Sequence, residues 1–198
     1  MFLSTRFINK TKPFIFILLI LPSLFWLTKY LQGNFGVNPI DKLMDEIGRF
    51  SLKLIILTLL ISSLSKFRSL GSLQNLRRMI GLFVFYYVSL HFLTYIFLNH
   101  YFNFNFIIKD IAKRPFITFG FISFLFLVPL AITSTNYMVK LLSFKIWKRL
   151  HYLIYPVAIL ASFHFLFLKK ADKTEPLIYL IIITMLLLWR IFSYIKKT

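Results

Sequence analysis

The chain contains no cysteine. This absence excludes a disulfide framework, an iron–sulfur cluster and thiolate chemistry, because each of them needs a cysteine sulfur. A metal ion must therefore be held by histidine, by oxygen ligands or inside a cofactor. Acidic residues are also scarce, since six Asp and Glu stand against 24 Lys and Arg and leave a net charge of +18.

Apolar residues dominate the rest of the composition. They make up 59% of the 198 residues, and the mean hydropathy is +0.77, which exceeds the roughly half-apolar composition of soluble domains. The composition therefore indicates an integral membrane protein surrounded by a lipid bilayer. The basic residues lie between apolar runs of spanning length, so that topology and anionic headgroups explain the charge and no nucleic-acid partner is expected.

Six apolar runs are long enough to cross a bilayer, which takes about 20 residues of helix. The predicted spans are residues 13–31, 47–64, 79–99, 116–134, 150–168 and 176–195. The first is expected to be a retained helix, because no small-residue cleavage site follows it. Since the loops are short, we expect one domain over residues 1–198, an all-α integral membrane protein built as a six-helix bundle.

The orientation follows from the basic residues. More than half of the Lys and Arg fall in the leader before the first span, in the second and fourth loops, and at the end of the chain. All six acidic residues fall in the other loops. The positive-inside rule therefore predicts that both termini are cytoplasmic.

Two histidines are predicted to lie at one depth in the membrane. His91 comes 12 residues after the start of the third span, and His164 comes 14 residues after the start of the fifth. Both spans run outwards, and a pair of neutral imidazoles at one depth is what a six-coordinate b-type haem needs. Zinc is disfavoured, because two histidines without a cysteine or a buried carboxylate make a poor site. The alternative for each histidine is a hydrogen bond to a neighbouring hydroxyl or carbonyl.

A third histidine, His151, marks the inner end of the fifth span, about 20 Å from His164 along a helix. That separation suits a second haem near the inner face, although an ideal helix turns the two side chains about 140° apart. A kink at Pro156, or an irregular helix end at His151, would change this angle. The residues expected opposite His151 are Arg77 and Arg78, which suit haem propionates, a flavin phosphate or anchoring at the inner headgroups. An inner haem would then be five-coordinate, unusually ligated or absent.

Three further polar residues lie near the predicted outer surface. His100 is expected to be interfacial and is not a predicted ligand. Arg49 and Lys53 share one helix face, so that they need an anion, such as propionates, lipid phosphate or an acidic neighbour, or else they extend to the headgroups.

Four stretches also resemble a known family. They are GRFSLKLIILTLLISSL (Gly48–Leu64), RRMIGLFVFYYVSLHFLTY (Arg77–Tyr95), KRPFITFGFISFLFLVPLAITS (Lys113–Ser134) and WKRLHYLIYPVAILASFHF (Trp147–Phe165). In this order and spacing they are similar to the MsrQ family, the haem-binding membrane subunits of the bacterial MsrPQ methionine sulfoxide reductase system. The resemblance runs from about residue 21 to residue 195, and the wider superfamily is that of ferric reductase-like transmembrane domains.

The resemblance implies a multi-pass protein of the bacterial inner membrane that binds haem b, as one haem or two, and FMN. It implies a non-catalytic electron-transfer subunit that takes electrons from the quinone pool or a cytosolic flavin reductase. The implied acceptor is a periplasmic molybdopterin enzyme, MsrP, that repairs oxidised proteins. The family haem ligands fall on His91, His151 and His164. Related oxidases carry two histidines on each of two helices, and this chain departs from them at Arg77 and Arg78.

Two other functions are considered beside this one. The first is a stand-alone membrane cytochrome b of the ferric or quinone reductase type, which works without a molybdopterin partner. The second is a transporter or structural membrane protein, which predicts no bound chromophore. The sequence shows no paired intramembrane carboxylates and no repeat of broken helices to support transport.

Overall fold

A computed structural model of the protein describes residues 4–195, and these residues are almost entirely helical. The α-helices of this part of the chain are α1 (Thr5–Leu31), α2 (Pro39–Leu64), α3 (Gln74–Thr94), α4 (Phe104–Lys113), α5 (Pro115–Ile132), α6 (Asn136–Leu150), α7 (Ile154–Leu168) and α8 (Thr174–Ile195). Short 3-10 helices precede α3 and α7 at Arg68–Leu73 and His151–Leu153, and a π-helical turn, Tyr95–Asn99, follows α3.

Six helical stretches of the described residues are long and apolar enough to cross a membrane, which confirms the predicted all-α architecture and the number of spans. The first three spanning helices begin earlier than predicted, at Thr5, Pro39 and Gln74. Their first turns carry polar and charged residues, which lower the local hydropathy but do not prevent a helix. The predicted cytoplasmic orientation of the termini stays a prediction.

Two segments that the sequence analysis treated as loops are helices, α4 and α6. Neither has the composition of a complete span by itself, and for that reason a search for spanning runs does not detect it. α4 occupies ten residues. α6 begins at a side-chain cap, in which the Thr135 hydroxyl oxygen accepts a hydrogen bond from the backbone N–H of Met138 at 3.1 Å. Such caps favour a helix start, because they satisfy an N–H that has no partner within the helix.

The contacts divide the chain into two compact units, and the first, which ends at Asn103, consists of α1, α2 and α3. α2 packs along α3, and α1 contacts both. Tyr87 of α3 is fully buried, and its hydroxyl donates a hydrogen bond to the carbonyl oxygen of Leu19 in α1. Its ring meets those of Phe50 at 4.7 Å and Trp26 at 6.1 Å, both edge to face. Such pairs stabilise a core beyond their buried area, so that this cluster joins the three helices.

The second unit begins at Phe104 and contains α4 to α8. α5 packs along α7, and α8 lies against the same helix. Val157 and Ala158 of α7 are completely buried in this core. α6 is tied back to the end of α5, because the indole Nε1–H of Trp147 donates to the carbonyl oxygen of Thr133 at 2.9 Å. The prediction of a single domain over residues 1–198 stays a prediction.

Hydroxyl groups inside the apolar helices bond to their own helix. The donors reach a carbonyl oxygen four residues earlier, at distances of 2.7 to 3.1 Å, and include Ser51, Thr58, Ser63, Thr94, Ser123 and Ser162. In a bilayer core no water satisfies a polar group, so that an internal acceptor removes the cost of burying the hydroxyl. This pattern suits helices surrounded by lipid and by one another.

The backbone of α6 is interrupted at Ser143, where φ is 61° and ψ is 152°. A side chain disfavours this region, which glycine occupies without a steric penalty. We expect Ser143→Gly to stabilise the protein by about 1 kcal/mol, because the relief of strain exceeds the added freedom of the unfolded chain. The measurement is thermal unfolding of the detergent-solubilised protein, followed by tryptophan fluorescence.

The matched control is Ser143→Ala, which removes the hydroxyl but keeps the Cβ that causes the strain. This variant should leave the midpoint temperature of thermal unfolding unchanged or lower it. A Gly variant that is less stable than the Ala variant would contradict the strained conformation at this position.

Candidate functional site

His91 lies in the last turns of α3, and its ring rests against α2. Its Nδ1 is 3.0 Å from the carbonyl oxygen of Met44. A carbonyl oxygen can only accept, so that Nδ1 carries the proton and donates this bond. Gly48, one turn along α2, lies directly beneath the ring, since a Cβ at this position would stand 3.1 Å from the His91 Cε1 and 3.2 Å from its Nδ1.

His164 of α7 is held by α5 in the same way. Its Nδ1 donates to the carbonyl oxygen of Phe116 at 2.6 Å. Gly120, one turn along α5, lies beneath this ring, and a Cβ there would stand 2.8 Å from Nδ1 and 3.0 Å from Cε1. The second unit therefore repeats the arrangement that the first unit builds around His91.

The two arrangements share one geometric cause. In each, the accepting carbonyl belongs to the residue four positions before the glycine, which is the spacing at which an α-helix brings a carbonyl and an amide together. A side chain at the glycine position would cover the approach to that carbonyl. Because Gly48 and Gly120 have none, the imidazole reaches an oxygen that is already part of the helix. We call each such combination of a glycine and the carbonyl one turn before it a glycine seat.

The glycine seats determine which ring nitrogen can bind a metal. A neutral imidazole with its proton on Nδ1 keeps the lone pair on Nε2, and a second-shell bond of this kind fixes the tautomer and raises the basicity of the ligand. Within residues 4–195, His, Asp and Glu form no group of three or more that could hold a metal ion. Imidazoles that are held in this way fit haem, whose iron receives its equatorial nitrogens from the porphyrin and needs only axial ligands from the protein.

His151 is placed differently from the other two histidines. It begins the 3-10 turn between α6 and α7, and its Nδ1 donates at 3.0 Å to the carbonyl oxygen of Trp147, one turn earlier in the same segment. Its ring lies 4.0 Å from that of Trp147. The irregular backbone falls at His151 itself, whereas Pro156 lies in the first turn of α7, where proline is tolerated. The angle of about 140° between the side chains of His151 and His164 holds for an uninterrupted ideal α-helix, and therefore does not apply here.

The remaining polar residues differ in their surroundings. Arg77 and Arg78 lie near the start of α3, where Arg77 is half-buried and Arg78 is exposed. Their assignment to a cofactor stays a prediction. Arg49 pairs with acidic neighbours on its own helix, Glu46 at 2.8 Å and Asp45 at 3.6 Å, which is one of the anion sources considered for it. The His100 ring packs against that of Tyr95 at 4.5 Å.

Gly48 and Gly120 were not among the residues predicted from the sequence for the candidate site. A weak signal for them exists. Glycine is costly in the interior of a helix, and its presence in an apolar span indicates a packing or functional reason. The sequence alone does not show which side chain occupies the space above a glycine, because the two histidines lie 43 and 44 residues further along the chain.

Comparisons with known proteins agree on one family. The family described as ferric reductase like transmembrane component matches residues 47–162, more than half of the chain. Three similar proteins are each named "Protein-methionine-sulfoxide reductase heme-binding subunit MsrQ". The one from Herminiimonas arsenicoxydans is 43% identical over 187 residues, which cover 91% of this chain and 84% of the relative.

The relative from Caulobacter vibrioides is 42% identical over 161 residues, which cover 81% of this chain and 77% of the relative. The one from Azospira oryzae is 38% identical over 194 residues, covering 98% and 83%. These matches confirm the resemblance that the four sequence stretches indicated. The chain belongs to the ferric reductase-like transmembrane family and, within it, to the MsrQ proteins.

Proposed function

We propose that the protein is the haem-binding electron-transfer subunit of a methionine sulfoxide reductase system, and that His91 and His164 would hold a haem b through their imidazoles. One observation carries the proposal. In each compact unit a histidine of one helix is held by a glycine seat on the neighbouring helix, with Nδ1 protonated and Nε2 left as the basic nitrogen. The names of the relatives, which describe heme-binding subunits, support the same cofactor.

The residues of the seats have separate tasks in this function. The carbonyl oxygens of Met44 and Phe116 keep a proton on Nδ1 and thereby fix the orientation of each imidazole. Gly48 and Gly120 provide the space that each ring occupies. The apolar helices exclude water and lower the local dielectric constant, which is the protein's means of tuning a bound redox group. Haem itself supplies one-electron chemistry when it is bound.

His151, Arg77 and Arg78 are proposed to act on the cytoplasmic side of the membrane, where electrons enter the protein. Both termini are proposed to be cytoplasmic in a bacterial inner membrane, and electrons enter there from the quinone pool or a cytosolic flavin reductase. His151 is proposed as a ligand of a second haem, and its Nδ1 bond leaves the same nitrogen basic as in the other two histidines. Arg77 and Arg78 are proposed to pair with haem propionates or with the phosphate of FMN, because a guanidinium binds both kinds of anion.

The outer side is proposed to meet the electron acceptor, a periplasmic molybdopterin subunit of the MsrP type that repairs oxidised proteins. The segments proposed to contact it are residues 33–46, 100–114 and 169–175, which combine basic and acidic side chains. A transient electron-transfer complex needs only a small interface, so that short segments of mixed charge suffice.

A stand-alone ferric or quinone reductase remains the second candidate, because the family that matches residues 47–162 is the ferric reductase like component. The reduced protein distinguishes the two functions. We expect it to be reoxidised by the purified molybdopterin subunit together with methionine sulfoxide, and only slowly by a chelated ferric salt, in stopped-flow absorbance measurements. Rapid oxidation by the ferric salt and none by the molybdopterin subunit would favour the second candidate.

The ligand assignment predicts the spectrum of three variants. The detergent-purified wild type should show a b-type haem spectrum when oxidised and when reduced with dithionite. His91→Ala and His164→Ala should each lose or strongly shift this spectrum, because iron loses an axial nitrogen. His100→Ala, the variant of a histidine to which no ligand role is assigned, is the matched control and should retain the wild-type spectrum. A colourless wild type from haem-replete cells would exclude the proposed function.

The number of haems is tested at His151. If this histidine binds a second haem, His151→Ala should lower the haem content per chain partially and leave the spectrum assigned to His91 and His164 in place. The measurement is pyridine haemochrome content divided by protein concentration. An unchanged haem content in this variant would remove His151 from the set of ligands.

A further inference from the structure

The space at each glycine seat is shaped for an imidazole ring. The three heavy atoms nearest to a Cβ built at position 48 all belong to the ring of His91, and those nearest to one at position 120 all belong to His164. In many membrane proteins a small residue lets two helix backbones approach each other. Here the nearest atoms are ring atoms, so that the missing side chain makes room for the ring.

Each ring is consequently restrained at three places. Its own helix holds Cβ, the carbonyl of the neighbouring helix holds Nδ1, and the ring occupies the space that a Cβ at the glycine position would fill. A ring held in this way has little freedom to rotate about its side-chain torsions. The direction in which Nε2 points is therefore set by the neighbouring helix as well as by the histidine.

We propose that Gly48 and Gly120 are positioning residues, which fix the planes of the His91 and His164 rings and thereby set the spin state and the reduction potential of the iron that these histidines bind. This inference rests on the proposed haem ligation and adds the second residue of each ligand arrangement. Outer-shell groups that orient a ligand tune the electronic state of the metal and its affinity.

The two positions differ in how closely the ring is held. At position 120 a Cβ would stand 2.8 Å from Nδ1 of His164, closer than real Cβ contacts, and Nδ1 is the atom that bonds the Phe116 carbonyl. An alanine there forces the ring to move and weakens that bond. At position 48 the nearest ring atom would stand at 3.1 Å, so that a smaller displacement relieves the contact. Alanine should therefore have the larger effect at position 120.

The experiment compares Gly48→Ala and Gly120→Ala with Gly81→Ala in the full-length, haem-loaded protein. Gly81 lies on α3, as His91 does, and a Cβ there meets nothing within 4 Å, so that it controls for a glycine replacement in an apolar helix. The measurements are the electron paramagnetic resonance of the oxidised protein, the midpoint potential by spectroelectrochemical titration, and the rate of haem loss to excess apomyoglobin.

We expect Gly120→Ala to shift the low-spin resonance, to add a high-spin fraction, and to speed haem loss by about 10- to 100-fold, the usual effect of losing an outer-shell partner. Gly48→Ala should retain its haem and show a smaller shift of the resonance and the potential. Gly81→Ala should match the wild type in all three measurements. If Gly120→Ala accumulates too poorly to measure, Gly48→Ala decides the inference by its resonance and potential.

A second comparison separates positioning of the ring from general damage to the helix. In His164→Gly supplied with free imidazole, the ligand is not tethered to α7 and can move away from position 120. Adding Gly120→Ala to this background should change the resonance much less than it does in the wild type, whereas damage to α5 would persist. Two glycine variants that match Gly81→Ala would overturn the inference while the proposed ligation stands. A wild type without haem would instead remove the proposed function.

Discussion

The candidate site depends on one kind of hydrogen bond, which runs from the Nδ1 of a membrane histidine to a backbone carbonyl of the neighbouring helix and is made twice. This bond does three things at once. It satisfies a polar group where no water is available, it selects the tautomer, and it directs Nε2. His91 makes the bond with Met44, and His164 makes it with Phe116. The close packing of α2 on α3, and of α5 on α7, brings each pair of partners together.

The same need to satisfy polar groups explains much of the surrounding structure. Serine and threonine hydroxyls bond to their own helices, and the Tyr87 hydroxyl bonds to the Leu19 carbonyl on α1. These bonds make the polar side chains compatible with an apolar environment. The histidines differ from them in one respect, because an imidazole has a second nitrogen that remains basic after the first is satisfied. That remaining nitrogen, Nε2, is the atom through which each histidine is proposed to bind haem iron.

Local sequence patterns predicted part of the fold and failed for another part for a physical reason. The number of spans was predicted correctly because hydropathy adds up over neighbouring residues and needs no knowledge of distant contacts. The helices α4 and α6 were missed because neither is by itself a complete span. The 3-10 turn at His151–Leu153 was expected only as one of two sources of irregularity beside Pro156, and the backbone places it at the histidine. Tertiary packing decides whether a short segment becomes a helix and where the backbone becomes irregular, and a local sequence pattern does not show this packing.

The sequence by itself determined that this is an all-α membrane protein with six spans, and it singled out His91, His151 and His164 as its candidate ligands. The four family stretches were also readable without a structure. The tertiary structure decided which nitrogen of each ring is protonated and assigned Gly48 and Gly120 to the seats. The partners of His91 and His164 lie 47 and 48 residues away along the chain. They meet only when whole helices dock, and so the position and orientation of these two histidines are properties of the packed fold.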